Sequence, residues 1–311
     1  MRAVVFDGKS ASFVQNYPQP LPGPDESLVQ VSLATVCNTD REILRGYRPD
    51  FQGVMGHEFV GVVKESADQS LLGRRVVGEI NLNCGHCLYC ESGRPHHCSE
   101  RSTLGINFKD GCFAEYLSLP NHLLWPLDDG IEDERAVFTE PLAAALRITE
   151  QVAFPDGIPV AIVGDGRLAL MICQVLSAKS KATITVFGKH VDKLGLFKPY
   201  AETSTELSGS YEVVIDASGS PSSLASSIAL TRSEGTLVMK STYAGSAEID
   251  MSEIVVRELK IIGSRCGPFE PALELLLQRQ VDLPALEMHE PADFRAAFES
   301  AAFKAALDFR K

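Results

Sequence analysis

The sequence predicts an α/β protein, with a mostly β segment followed by a doubly wound parallel sheet. Short apolar or β-branched runs separated by glycine and proline fill the chain up to about Trp125, which is typical of short strands and loops. After Pro155, apolar strands alternate with helical segments, the pattern of a parallel sheet covered by helices on both faces. A glycine-rich turn directly after the first of these strands indicates a binding site at that sheet.

The individual elements follow from the spacing of apolar residues. In the first segment we expect strands at Ala3–Phe6, Leu28–Leu33, Phe59–Val63 and Arg75–Val77. An apolar face between Ala136 and Val152 predicts a helix. In the second segment we expect strands at Pro159–Val163, Thr183–Phe187, Val213–Ile215, Thr236–Met239 and Leu259–Ile262, and helices at Leu168–Leu176, Pro271–Leu277 and Ala292–Ala302.

The interval between Phe187 and Tyr211 is short for the helix and strand that it must hold. A complete β-α-β unit usually needs about 30 residues. We therefore expect a clipped helix near Asp192–Tyr200 and a very short third strand near Glu202–Thr205.

Composition limits the class of protein. The chain has 311 residues, a formal net charge of −12 and an isoelectric point near 5.1, which argues against nucleic acid or an anionic membrane as a partner. No apolar run reaches the roughly 18 residues of a membrane-spanning helix, and Met1–Phe6 is strand-like and does not begin a signal peptide. Eight cysteines in such a chain indicate metal binding in a reducing compartment, so we expect a cytoplasmic protein.

A run of cysteines predicts a structural metal site. The pattern C-x2-C-x2-C-x7-C is formed by Cys84, Cys87, Cys90 and Cys98. Four thiolates at this spacing can bind one tetrahedral zinc ion. Disulfides are disfavoured in a chain without a secretory signal, and an iron–sulfur cluster favours a proline after the last cysteine, where Ser99 stands. We therefore predict a zinc lobe over residues 81–100.

The segment from Gly164 to Ala169 fits the dinucleotide pattern G-x-G-x-x-A between a predicted strand and a helix. Gly164 permits the tight turn, and Gly166 lets a pyrophosphate approach the backbone. The start of the helix, at Arg167 and Leu168, offers backbone N–H groups to the phosphates of such a cofactor. The sequence therefore predicts a nicotinamide dinucleotide as cofactor.

The end of the second predicted strand bears on cofactor preference. A NAD site usually places Asp or Glu there to bind the ribose 2′-hydroxyl, whereas this chain has Gly188, Lys189 and His190. The missing carboxylate removes repulsion of a 2′-phosphate, and Lys189 adds attraction, which favours NADP. If Lys189 is only a solvated surface residue, both NAD and NADP would bind.

Four further residues are candidate ligands of a second metal: Cys37, His57, Glu58 and Glu140. Each has an ordinary explanation. A cysteine after a strand is usually a small core residue, and a glutamate before proline at a helix start usually complements the helix dipole. Together they supply ligand types that zinc accepts.

These motifs together resemble the zinc-dependent medium-chain dehydrogenases/reductases, the alcohol dehydrogenase superfamily. The resemblance rests on C-x-T-D at Cys37–Asp40, G-H-E-x-x-G at Gly56–Gly61, the cysteine run and the glycine turn, in that order. Gly111–Tyr116 is similar to G-G-F-A-E-Y, with Cys112 replacing the second glycine, and Thr139–Ala143 is similar to the third-ligand segment. The closest motifs are those of glucose, threonine and polyol dehydrogenases.

The resemblance implies a GroES-like catalytic domain at residues 1–150 and 268–311. It implies a Rossmann domain at residues 151–267, shortened around 188–211, with the active site in the cleft between the two domains. Dimers or tetramers in this family form through the edge of the Rossmann sheet, so we expect a homodimer or homotetramer. Thr236–Met239 or Lys260–Ile262 would supply that edge.

The resemblance also implies residue roles. Cys37, His57 and Glu140 would bind catalytic zinc, with Glu58 as a neighbouring or exchangeable ligand. Asp40 would orient the imidazole, and Thr39 would hydrogen-bond the substrate oxygen and begin proton removal. The segment lining the cofactor beyond the fourth strand would include Ala217, Ser218 and Gly219.

Three residues bear on the substrate. Glu42 stands where many members have a relay histidine, and its segment resembles the C-G-T-D-R-E of archaeal-type glucose dehydrogenases. Glu115 stands where those enzymes contact the sugar, although it is widespread in the family and has a structural explanation too. Asn81, just before the zinc lobe, is a further polar candidate. These residues favour a polyol or sugar.

The sequence thus predicts a zinc-dependent, NADP-preferring oxidoreductase acting on a secondary alcohol of a polyol, sugar or related hydroxy compound. One alternative is a NAD-dependent dehydrogenase for L-threonine, butanediol or simple alcohols. An alternative of a different class is a non-catalytic redox sensor that binds zinc and a nucleotide.

Overall fold

A computed structural model describes residues 1–242 and 246–310 of the chain. The strands are β1 (Ala3–Phe6), β2 (Ala11–Val14), β3 (Glu26–Thr35), β4 (Gly53–Val54), β5 (Phe59–Ser66), β6 (Arg75–Gly78), β7 (Asn81–Leu82), β8 (Ser102–Leu104), β9 (Phe108–Lys109), β10 (Tyr116–Pro120), β11 (Leu124–Pro126), β12 (Pro159–Val163), β13 (Thr183–Phe187), β14 (Glu202–Ser204), β15 (Tyr211–Asp216), β16 (Thr231–Met239), β17 (Lys260–Gly263), β18 (Leu286–His289) and β19 (Lys304–Asp308). The α-helices are α1 (Asn38–Leu44), α2 (Leu88–Glu91), α3 (Asp133–Ala136), α4 (Thr139–Gln151), α5 (Arg167–Lys179), α6 (Val191–Leu194), α7 (Leu224–Leu230), α8 (Met251–Val256), α9 (Phe269–Leu277) and α10 (Phe294–Glu299). Short 3-10 helices lie at Pro95–His97, Asn121–Leu123, Pro221–Ser223 and Pro291–Asp293.

The contacts divide the chain into two units, Met1–Glu140 with Leu283–Lys311, and Pro141–Asp282. These bounds differ from the expected domain limits at residues 150 and 268. Most of α4 lies in the second unit, where Lys240 Nζ donates to the Ala144 carbonyl at 2.6 Å. The segment up to Asp282 also lies there, because the Gln174 side chain on α5 donates to the Asp282 carbonyl at 2.7 Å.

The first unit is mostly β. Its largest sheet has the order β11-β6-β5-β3-β19-β18, with β10 also paired to β3. The pairings in this sheet are antiparallel except for β18 with β19. Two smaller sheets have the orders β2-β1-β4 and β7-β8-β9. All four strands expected in this part of the sequence are confirmed, and β3, β5 and β6 extend beyond the expected limits.

The second unit is built on a parallel sheet with the strand order β14-β13-β12-β15-β16-β17. Chain order reverses between β12 and β15, and in doubly wound sheets ligands bind outside the carboxyl ends of the strands at that point. Residues of β12 and β15, among them Ala161 and Val214, are buried in an apolar cluster with α7. The expected α/β fold is confirmed: a GroES-like unit and a Rossmann unit.

The expected shortening of the Rossmann sheet is also confirmed. After β13 the chain forms only the one-turn helix α6 and the three-residue strand β14. Two alternatives were expected for the sheet edge, and the structure places the second, Lys260–Ile262, there. Residues Thr236–Met239 belong to β16, which pairs on both sides and lies inside the sheet, whereas β17 forms the edge. Among the described residues, no helix is long and apolar enough to cross a membrane.

Candidate metal and dinucleotide sites

A thiol, an imidazole and a carboxylate converge in the first unit. Cys37 precedes α1, and His57 and Glu58 immediately precede β5. One ligand atom from each of the three lies within 4.8 Å of the other two. His57 and Glu58 are buried and Cys37 is half-buried. Three ligands of these types at this spacing fit a catalytic zinc ion that keeps a further position open.

Two glycines of the G-H-E-x-x-G motif hold this segment in place. Gly56 has a φ of +91°, and a Cβ there would lie 2.4 Å from the Phe113 ring. A Cβ on Gly61 would lie 2.4 Å from the Gln30 carbonyl oxygen on β3. A side chain at Gly61 would push β5 away from β3, and one at Gly56 would collide with Phe113. The motif therefore has a packing reason, and the packing positions His57 and Glu58.

Asp40 orients two of the candidate ligands. Its Oδ1 lies 3.4 Å from Nδ1 of His57, and its Oδ2 accepts the Cys37 backbone N–H at 2.7 Å. Burial lowers the pKa of His57, but the charges of Asp40 and Cys37 raise it well above its ordinary value of 6.5. Among the described residues, neither His57 Nδ1 nor Asp40 Oδ1 makes a hydrogen bond of good geometry. An imidazole oriented by a carboxylate through one nitrogen binds metal through the other, so this pair fits a zinc ligand.

Glu58 is anchored by two buried partners. Its Oε2 accepts a hydrogen bond from the Thr35 hydroxyl at 2.6 Å and a short one from Lys304 Nζ. The Lys304 and Glu58 side chains are only 3% and 1% exposed. Burial raises the pKa of Glu58, but the charges of Lys304 and His57 outweigh it and lower the pKa below 4.5. Sequence reasoning missed Lys304, whose only signal is a charge at the start of the otherwise apolar run Lys304–Leu307 in β19.

Of the other two expected catalytic residues, Thr39 lies near Cys37, and Glu140 lies outside the group of ligand atoms. The Thr39 hydroxyl is 3.8 Å from Cys37 Sγ, at the start of α1. Glu140 lies half-buried in the first turn of α4 and does not belong to the group of ligand atoms that Cys37, His57 and Glu58 form. The structure thus brings Glu58, rather than Glu140, to the cysteine and histidine.

The three candidate substrate-binding residues, Glu115, Glu42 and Asn81, differ in their hydrogen-bond partners. Both carboxylate oxygens of Glu115 are taken by Arg2, through its backbone N–H at 2.7 Å and Nε at 2.9 Å. Although burial raises the pKa of Glu115, these contacts hold it below its ordinary value. Glu42 is buried and pairs with the exposed Arg45 at 2.7 Å. The buried Asn81 Oδ1 accepts no hydrogen bond within residues 1–242 and 246–310.

The cysteine run forms a compact lobe. The Sγ atoms of Cys84, Cys87, Cys90 and Cys98 all lie within 4.8 Å of one another. Cys87 and Cys90 are 3.5 Å apart, and so are Cys84 and Cys98. Disulfide sulfurs would lie about 2.05 Å apart, whereas four thiolates bonded tetrahedrally to zinc lie about 3.8 Å apart. Backbone N–H groups of Cys90 and Ser99 lower the pKa of Cys87 to about 5, which favours the thiolate. The donor set fits zinc.

The glycine turn lies in the second unit between β12 and α5. Gly164 has a φ of +128°, and a Cβ there would lie 2.7 Å from the Ala217 carbonyl oxygen, so only glycine fits. A Cβ on Gly166 would meet nothing within 4 Å, which leaves the start of α5, at Arg167 and Leu168, open to a phosphate. The loop after β15 contains Ala217, Ser218 and Gly219, and the Gly219 N–H donates to Ser241 Oγ at 2.8 Å.

The segment after β13 is fastened to this turn by a residue that sequence reasoning missed. Asp165, the central residue of G-x-G, accepts the backbone N–H groups of Lys189 at 2.7 Å and His190 at 2.8 Å on Oδ2. His190 Nδ1 lies 2.9 Å from the same oxygen. Burial raises the pKa of Asp165, but these hydrogen bonds outweigh it and lower the pKa. The only sequence signal was an acidic residue inside the turn itself.

Both units are similar to domains of known proteins. Residues 23–129 match the alcohol dehydrogenase GroES-like domain, and residues 170–278 match the zinc-binding dehydrogenase domain. A sorbitol dehydrogenase from Halalkalibacterium halodurans is 32% identical over 89% of this chain and 88% of the relative. An L-threonine 3-dehydrogenase from Xanthomonas campestris is 28% identical over 85% of this chain and 84% of the relative.

Solved structures show the same similarity over nearly the whole chain. A zinc-binding dehydrogenase from Sinorhizobium meliloti bound to NADP has a TM-score of 0.88 and 26% identity, and covers 99% of this chain and 98% of that one. The RspB alcohol dehydrogenase from Escherichia coli CFT073, in complex with NADH, has a TM-score of 0.88 and 25% identity, and covers 99% of each chain. This chain is therefore an enzyme and belongs to the zinc-dependent medium-chain dehydrogenases, the alcohol dehydrogenase superfamily.

Proposed function

We propose that this enzyme transfers a hydride between a secondary alcohol of a polyol, sugar or related hydroxy compound and NAD(P). The observation that carries the proposal is the group of Cys37, His57 and Glu58, with Asp40 orienting two of its members. Similarity to a sorbitol dehydrogenase over 89% of the chain supports the polyol class.

In this proposal, Cys37 and His57 bind the catalytic zinc, and Glu58 is the third protein ligand in place of Glu140. Bound zinc supplies Lewis acidity that makes an alcohol proton acidic near neutral pH. Glu58 keeps its anionic form because Lys304 and Thr35 bind Oε2, and this leaves its second oxygen for the metal.

The remaining groups position the substrate and move its proton. Thr39, 3.8 Å from Cys37 Sγ, accepts the alcohol hydrogen at Oγ1 and passes its own hydroxyl proton on to water as the C–O bond becomes a carbonyl. A bound nicotinamide dinucleotide would supply the hydride acceptor, and the glycine turn would hold its pyrophosphate. Asp40 keeps His57 in one orientation, so that the ligand does not rotate between turnovers.

Zinc content and turnover together test the metal assignment. Wild-type protein should bind two zinc ions per chain, and Cys37→Ser should bind one and lose most turnover. Cys173→Ala, which alters a buried thiol on α5 outside both cysteine sites, should keep both ions and normal turnover. Two ions and full turnover in Cys37→Ser would contradict the assignment. Metal is measured by plasma mass spectrometry and turnover by cofactor absorbance.

The substrate class is tested with a panel. Sorbitol, xylitol, glucose, L-threonine, butanediol and simple alcohols are offered with NAD or NADP. The proposal expects the highest kcat/KM on a polyol or sugar. Preference for L-threonine would support the second candidate, which the similarity to threonine dehydrogenases favours.

Both carboxylate oxygens of Glu115 already accept hydrogen bonds from Arg2, so Glu115→Gln should alter stability more than KM.

A further inference from the structure

A carboxylate lies at the end of β13, although none of the three residues that follow the strand is acidic. In a dinucleotide fold this strand end faces the adenosine ribose, and an acidic residue there binds the 2′-hydroxyl. Here the strand is followed by Gly188, Lys189 and His190. The carboxylate that reaches this place belongs to Asp165, which comes from the glycine turn.

Asp165 explains why residue 188 is glycine. A Cβ on Gly188 would lie 2.6 Å from Asp165 Cβ, 2.7 Å from its Oδ2 and 2.9 Å from Leu194 Cδ2. Real Cβ atoms do not approach other heavy atoms so closely. The space that an acidic side chain at position 188 would need is therefore occupied by the Asp165 carboxylate itself.

The two oxygens of Asp165 differ in their contacts. Oδ2 lies within 2.9 Å of three nitrogens, the two backbone nitrogens of Lys189 and His190 and the His190 ring. Oδ1 accepts no hydrogen bond from any residue in the described ranges. The side chain is 13% exposed, so it is held in place yet reaches solvent. A fixed carboxylate with one open oxygen is a hydrogen-bond acceptor for a hydroxyl group.

The same contacts disfavour a phosphate. Backbone N–H groups at the end of this strand would be natural donors to a 2′-phosphate, and both are already bound to Asp165. A 2′-phosphate would also lie beside a carboxylate whose pKa is lowered and which is therefore charged at neutral pH. The positive charge of Lys189 remains, but its side chain is exposed to solvent, where salt screens it.

We propose that Asp165 receives a hydroxyl of the adenosine ribose and excludes a 2′-phosphate, so that the enzyme prefers NAD to NADP. This inference rests on the proposed function and replaces the NADP preference expected from Gly188 and Lys189. It assigns cofactor choice to the glycine turn.

Binding measurements on the zinc-loaded protein test the proposal without turnover. Dissociation constants are measured by calorimetry for NAD and NADP, and for adenosine 5′-phosphate and adenosine 2′,5′-bisphosphate, which differ only in the 2′-phosphate. Wild-type protein should bind each ligand without the 2′-phosphate at least tenfold more tightly. Equal or tighter binding of NADP would overturn the proposal.

Variants locate the effect. Asp165→Ala should lower the ratio of the NADP to the NAD dissociation constant at least tenfold, because it frees two N–H donors and removes a charge. Asp192→Asn, which neutralises an exposed acid on the neighbouring α6, should change that ratio less than threefold. An unchanged ratio in folded Asp165→Ala would overturn the proposal.

Two outcomes separate this inference from the proposed function. If Asp165→Ala does not fold, Lys189→Ala and the wild-type ratio still decide. A large loss of NADP affinity in Lys189→Ala would show a 2′-phosphate site and overturn the inference. If wild-type protein binds neither dinucleotide, the proposed function fails, whereas NADP preference overturns only the inference.

Discussion

Lys304→Met tests the buried ion pair behind the candidate metal site. The substitution keeps the length of the side chain and removes its charge. Lys304 and Glu58 are 3% and 1% exposed, so solvent screens the pair little. Removing one partner of a buried pair leaves the other uncompensated and costs about 3–5 kcal/mol. We expect this loss in the free energy of unfolding of the metal-free protein.

Lys109→Met is the matched control. It removes the same side chain from an ion pair with Glu26 in the same unit, but those side chains are 21% and 25% exposed. Such a pair contributes about 1 kcal/mol or less. Urea unfolding in the presence of a chelator is followed by the fluorescence of Trp125, the only tryptophan of the chain, which lies on β11 of the first unit. Equal losses in both variants would refute the reasoning.

Zinc provides a second readout for Lys304→Met. A metal ion beside Glu58 supplies the positive charge that the variant lacks, and binding to the folded state stabilises it by mass action. The difference in stability between wild type and Lys304→Met should therefore shrink when zinc is added. A difference that does not change with zinc would show that Glu58 lies apart from the metal.

Four further outcomes are expected. The pKa of Glu58 is lowered, so its ionised form stabilises the folded protein above about pH 4.5, and this contribution is lost as the pH falls. Glu58→Gln should therefore lose less stability than wild type on acidification, as measured by urea unfolding. Gly188→Asp should lower the Tm rather than raise NAD affinity, because its Cβ meets Asp165 at 2.6 Å; a normal Tm would contradict this. Cys98→Ser should lose one zinc ion and keep dinucleotide binding, measured by mass spectrometry and calorimetry. Ile261→Lys, at a 41% exposed residue on the edge strand β17, should convert a homodimer to monomers in light scattering if that edge forms the subunit contact.

Much of the fold was predictable because it depends on neighbours along the chain. The strands Pro159–Val163 and Thr183–Phe187 have the limits that their apolar runs predict. The short interval after Phe187 predicted the clipped strand β14, since chain length alone limits what a segment can form. The position of β16 inside the sheet was not predictable, because strand order depends on pairing between segments far apart.

The candidate site also has a part that was predictable from sequence and a part that was not. Cys37, His57 and Glu58 were identified from local motifs, and the structure brings them together. Glu140 was expected beside them from a similar local pattern, and its ligand atom is not in the group.

The sequence by itself determined the chemical types of the site: the cysteine lobe, the glycine turn and the candidate ligands, all patterns within short segments. Only the tertiary structure decided which partner each charged group has. Lys304 donates a hydrogen bond to Glu58, 246 positions away in the sequence, and Arg2 donates to Glu115, 113 positions away. Asp165 contacts the His190 ring, 25 positions away. The physical reason is that the charge state and availability of a side chain depend on burial and on the nearest opposite charge, and the packing of strands distant in sequence sets both.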